Sequence, residues 1–174
     1  MARHLGVCLD TAHAAVRFED PGRSLRRLAA AGVRVAKVQL SSALDFAATP
    51  EALDAARAFG EEVYLHQTSV RGPAGHVRHY PDLPEALADP AAAGADRRWR
   101  VHYHVPLYWR GTGPLRSTAA LLEGEFLPSL AGFTSHAEIE TYTFTVLPEP
   151  LRATDLAAGI AGEYEWVLDR WNQR

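Results

Sequence analysis

Three short stretches of this chain carry ligand-type side chains at spacings that can bring them together. The first is Cys8-Leu9-Asp10-Thr11-Ala12-His13. A carboxylate closing a strand, with a histidine three residues on, can offer two ligands to one divalent cation. The competing reading makes Asp10 a helix or turn cap and His13 a surface residue. The second stretch is His102-Tyr103-His104. Histidines at i and i+2 of a strand project from one face, as zinc sites of the carbonic-anhydrase kind require. A pair of interior histidines bonded to their neighbours would show the same spacing. The third is Glu138-Ile139-Glu140-Thr141-Tyr142, with two carboxylates on the face opposite Ile139. Burying one ionised carboxylate costs several kcal/mol unless a cation or hydrogen bonds compensate. Exposure at a sheet edge is the alternative.

Lesser candidates are Gln39, His66, Gln67, Tyr108, Trp109 and Arg110. His66 opposes Leu65 in strand parity and could face the same site. Arg110 precedes Gly111-Thr112-Gly113 and could meet an anionic group; a plain loop is the competing reading. His76 and His79 fall in a glycine-containing loop and read as solvated. Cys8 shares parity with Asp10, but no neighbour in sequence marks it as an activated thiol.

Alternating strands and helices must position these groups. Strands are predicted over residues 5–10, 33–40, 62–67, 99–105 and 137–144. Helices are predicted over 24–31, 50–59 (Thr49 as N-cap, Pro50 at the first position), 83–87, 117–130 and 153–171. This alternation argues for an α/β domain with a mainly parallel sheet. Val101, Tyr103 and Val105 lie on one face of their strand, and His102 and His104 on the other. Lys37, Gln39 and Ser41 likewise oppose Val38 and Leu40. One apolar and one polar face per strand fits the mouth of a barrel enzyme better than an open doubly wound sheet.

The 174 residues suffice for a single domain over 1–174 with a real core. A formal charge of −3 gives no electrostatic case for nucleic acid or an anionic membrane. One cysteine excludes an intramolecular disulfide, and no apolar run is long enough to span a bilayer. A cytoplasmic location is the expectation.

The stretches VCLDTAH, KVQLSS, HVPLYW and IETYTF occur in an order that resembles xylose-isomerase-like (sugar phosphate isomerase/epimerase) TIM barrels, and most closely the EboE group of metabolite-traffic proteins. The resemblance spans essentially the whole chain. It implies the C-terminal portion of a TIM (β/α)8 barrel, incomplete, with a strand pair inserted between the seventh and eighth barrel strands. It also implies a divalent metal (Mn, Mg, Co or Zn) held by Asp10, His13, His104 and Glu140. Glu140 and His13 would be the catalytic groups, and Gln39, His66, His102 and Arg110 the substrate contacts. Gln39 stands where many relatives carry a metal-binding histidine, and the family's first five strands have no counterpart.

Two classes of function follow. One is metal-assisted proton transfer on a small hydroxy-carbonyl metabolite. The other is non-catalytic binding or escort of such a metabolite, with an inactive fragment as its limiting case. Expected partners are a small-molecule metabolite and, for the uncovered sheet edges, a second copy or another polypeptide supplying the missing half-barrel.

Overall fold

The computed structural model describes residues 4–149, 151–152 and 155–172. In chain order, β1 (Val7–Asp10) leads into α1 (Thr11–Val16) and α2 (Pro21–Ala30), then β2 (Val35–Leu40). After Ser41 alone comes β3 (Ser42–Ala48), followed by α3 (Pro50–Ala56). The hairpin β4 (Thr68–Arg71) and β5 (Val77–Tyr80) precedes α4 (Leu83–Ala88) and the long β6 (Gly94–Val105). The short strands β7 (Gly111–Thr112) and β8 (Leu115–Ser117), α5 (Phe126–Ser129), β9 (Ala137–Ile139) and α6 (Leu156–Trp171) complete the order.

The fold is mixed α/β. β1, β2 and β9 form a parallel sheet in that order, with Asp10 beside Gln39 and Gln39 beside Glu138. The other six strands form an antiparallel sheet in the order β5-β4-β6-β3-β8-β7. Leu44, Phe46, Trp99, Val101 and Tyr103 bury one face of this second sheet together with Ala52, Ala56 and Phe59. The parallel sheet buries Val38 and Leu40 against Leu25, Leu127, Leu130 and Trp166.

Helix starts follow local chemistry. The side chains of Asp10, Asp20, Thr49, Asp82 and Asp155 each accept a backbone N–H at the head of a helix, with Pro21 and Pro50 pre-set at the first position of theirs. No helix among the described residues is long and apolar enough to cross a membrane.

Several expectations are corrected. The sheet is not mainly parallel, because the longer strands are antiparallel, and no closed barrel forms among the described residues. The strands between β2 and β9 are six in one sheet, not an inserted pair. β3 escapes a pattern reading because Ala43, Ala47 and Ala48 blur its alternation. Residues 62–67 are not a strand. The Glu61 carboxylate accepts the N–H groups of Val63 and Tyr64, and Asp82 accepts that of His66. Those donors are therefore withdrawn from any ladder. The strand begins instead at Thr68, and the glycine-containing loop supplies its partner β5.

The helix expected over 117–130 is divided into a 3-10 turn (Thr118–Leu122), α5, and a second 3-10 turn (Leu130–Gly132). Gly124 at φ 63° sits at the break, in the left-handed region that ends a helix. The last helix begins at Leu156, and residues 153 and 154 of its predicted span lie outside the described residues.

Candidate metal centre

The carboxyl ends of the parallel strands and the end of β6 converge. Asp10 closes β1, Ser41 follows β2, Glu140 follows β9, and His102 and His104 come from the last turn of alternation in β6. The turn after β9 is drawn onto β6 by a hydrogen bond from the Thr143 hydroxyl to the His104 carbonyl, and by Tyr103 Oη donating to the Val146 carbonyl at 2.8 Å. This places Glu140 beside His104 although 36 residues separate them.

Two triads of ligand atoms result, each within 4.8 Å of one another: Asp10 with His13 and His102, and Asp10 with His104 and Glu140. Asp10 is common to both. Its Oδ1 is saturated, accepting from Ala12 N at 2.8 Å, His13 N at 3.1 Å and Ser41 Oγ at 2.9 Å. The helix-cap reading of Asp10 is therefore correct, and it leaves Oδ2 for a cation. Ser41 is itself fixed by Thr11, whose hydroxyl donates to the Ser41 carbonyl and accepts from its N–H.

His104 is 1% exposed, and its Nδ1 lies 2.7 Å from the Glu140 carbonyl oxygen. A carbonyl can only accept, so Nδ1 carries the proton and Nε2 presents its lone pair to the site. The Nε2 atoms of His102 and His104 are 3.2 Å apart. Two imidazoles on one tetrahedral ion at about 2.0–2.1 Å would place their nitrogens roughly 3.3 Å apart. Burial lowers the pKa of His102 to about 3, with His104 and His13 adding to the shift. Burial likewise lowers His104 to about 4. Both are neutral, and thus ligand-competent, at pH 7. Burial raises the pKa of Glu140, helped by the charges of Asp10 and Glu138. Neutral imidazoles with carboxylates crowded against one another suit a hard or borderline divalent cation.

The remaining expected residues divide. Gln39 is at the site, with Nε2 donating to Glu140 Oε2 at 3.2 Å and Oε1 accepting from the Cys8 thiol at 3.2 Å. His13 does not join His104 and Glu140; its ring stacks on His102 at 3.9 Å, in the other triad. His66 lies outside both triads. It is fully buried, its ring packs on Tyr103 at 4.8 Å, and its nitrogens face the His102 carbonyl at 3.3 Å and Glu61 at 3.0 Å. Arg110 is likewise elsewhere, paired with Glu123 at 2.6 Å. That contact spends its charge on a carboxylate supplied by the segment before α5.

Pattern reading gave no role to Ser41, Tyr64 or Tyr142. Tyr142 packs at 4.5 Å on His104 and meets Tyr64 edge-on at 4.8 Å. The strand expected over 137–144, whose parity put Tyr142 on the face of Glu140, ends at Ile139, and the contact with Tyr64 has no sequence signal. Compared with known proteins, the chain matches no family model, no curated protein and no solved structure.

Proposed function

We propose that this chain binds one divalent cation through Asp10, His104 and Glu140, with His102 as a further ligand, and that it handles a small hydroxy-carbonyl metabolite there. The supporting observation is the meeting of three ligand atoms from three distant elements within 4.8 Å, with the His104 lone pair aimed inward. A bound divalent cation supplies charge to polarise a carbonyl oxygen and to hold the substrate's paired oxygens.

The chain's own groups supply the rest. Glu140 is the group assigned to accept the substrate's carbon-bound proton, since a carboxylate within hydrogen-bond reach of the reacting atom serves as a general base. Gln39 holds one Glu140 oxygen and so fixes the orientation of the other. His13, exposed and stacked on His102, is placed to bond a substrate hydroxyl. This reading agrees with the resemblance to xylose-isomerase-like barrels and to the EboE group. β1, β2 and β9 would be three consecutive barrel strands, the six-stranded sheet an insertion, and the rest of the barrel the contribution of further polypeptide in a cytoplasmic protein.

The test is exchange of the carbon-bound hydrogens of dihydroxyacetone in D2O, followed by proton NMR with the metal-loaded protein. Exchange that disappears in Glu140→Gln supports proton transfer. Binding without exchange in the wild type would favour the escort reading, which Gln39 in place of a histidine ligand also favours.

A further inference from the structure

The turn between α3 and β4 exposes apolar side chains on a backbone that carboxylates hold by hydrogen bonds. Val63 and Leu65 are 69% and 68% exposed. Loose backbone does not account for that exposure. Glu61 accepts Val63 N at 2.6 Å and Tyr64 N at 3.1 Å, and bonds the ring of His66 at 3.0 Å. The His66 N–H is in turn held by Asp82 at 2.9 Å, and its ring is buried on Tyr103. Tyr64, between Val63 and Leu65, is itself 40% exposed at one edge and packs inward at the other. Its ring meets Tyr142 edge-on at 4.8 Å, and Tyr142 meets His104 at 4.5 Å. The rings of His104, Tyr142 and Tyr64 therefore run in sequence from a candidate ligand to the turn that carries the exposed Val63 and Leu65.

From this geometry, and resting on the metal-binding reading above, we propose that the substrate is amphipathic. Its paired oxygens sit at Asp10, His104 and Glu140, and an aromatic or branched apolar group lies along Tyr142 and Tyr64 under Val63 and Leu65. Such a group gains both ring-edge contacts and burial of apolar surface that is otherwise hydrated. A free sugar phosphate fits less well. Lys37, on the strand that carries Gln39, is already paired with Glu138 and so is not free to meet a phosphate.

Hydroxamates provide probes, because each presents two oxygens to a metal with a variable tail. The full chain loaded with Zn(II) is titrated by calorimetry with acetohydroxamate and with 2-phenylacetohydroxamate. The expected result is tighter binding of the phenyl compound by about tenfold or more, as burial of about two methylene equivalents gives. The double variant Val63→Ser, Leu65→Ser is expected to lose most of that preference while binding Zn(II) alone as the wild type does. Equal binding of the two hydroxamates, or a preference kept in the double variant, overturns this inference and leaves the metal site standing. Absence of Zn(II) binding in the wild type overturns both.

Discussion

The chemistry at the residue scale depends on how Asp10 is shared. One oxygen caps α1 and accepts from Ser41, and this confines the other to the site. Outer hydrogen bonds of this kind are worth about 10- to 100-fold in metal affinity. Ser41→Ala is accordingly expected to weaken Zn(II) binding about tenfold in a calorimetric titration, with little change in fold.

The two buried histidines also make stability depend on pH. Their folded pKa values, about 3 and about 4, lie below the ordinary value of about 6.5. In the window between these values the unfolded chain binds more protons than the folded one, so stability falls as pH falls from about 6.5 toward 4. The raised pKa of Glu140 acts in the opposite sense, costing stability as its carboxyl ionises. Metal-free thermal melts between pH 7 and pH 4 should show a steeper loss of the midpoint than the variant His102→Phe shows. Parallel slopes would remove this account of the histidines.

Glu163 is the tie that sets the site at the scale of elements. It is 1% exposed on α6, and its Oε1 accepts Leu107 N at 3.0 Å and Thr141 Oγ1 at 2.7 Å. Those two residues follow the His104 and Glu140 segments, so one carboxyl oxygen joins α6 to both. Oε2 is buried with no hydrogen-bond partner among the described residues, and burial raises the pKa of the group. The ionised form is therefore costly at neutral pH. Glu163→Ala should lose about 1–3 kcal/mol in urea denaturation, whereas Glu163→Gln, which keeps the acceptor and removes the charge, should be at least as stable as wild type at pH 7.

Elements with strong local signals were legible in the sequence. Thr49-Pro50 starts α3, and the alternation of Val101, Tyr103 and Val105 against His102 and His104 marks the end of β6. Parity made His102 and His104 legible as a pair, whereas Asp10 at the end of β1 and Glu140 just beyond β9 were legible as residue types and meet them only through the fold. The antiparallel partner strands were not. β3 is rich in alanine on both faces, and side-chain caps displace the strand expected at 62–67 toward Thr68. The positions of His66 and Arg110 depended on Glu61, five residues before the one, and Glu123, thirteen after the other, pairings that no strand or helix periodicity announces.

The whole molecule has more apolar surface than it covers. Leu156, Ile160, Tyr164 and Leu168 recur every fourth residue on α6 and are 40–55% exposed. Beside them a groove of about 270 Å³ is lined by Leu40, Ile139, Val167 and Trp171. β9, at the edge of a parallel sheet, borders the same groove. An apolar helix face next to an open strand edge favours association. Sedimentation velocity of the isolated chain should show mass rising with concentration, and Ile160→Glu with Leu168→Glu should return it toward the monomer. A monomer at all concentrations would contradict this.

The central claim concerns the cluster where the two sheets meet, and metal content tests it most directly. The protein is equilibrated with Zn(II) or Mn(II), freed of loosely held ions, and its metal quantified by plasma mass spectrometry. Wild type should retain about one equivalent, and His104→Ala and Asp10→Ala should retain almost none while keeping the wild-type circular dichroism. Wild type without stoichiometric metal, or variants that retain it, would contradict the account.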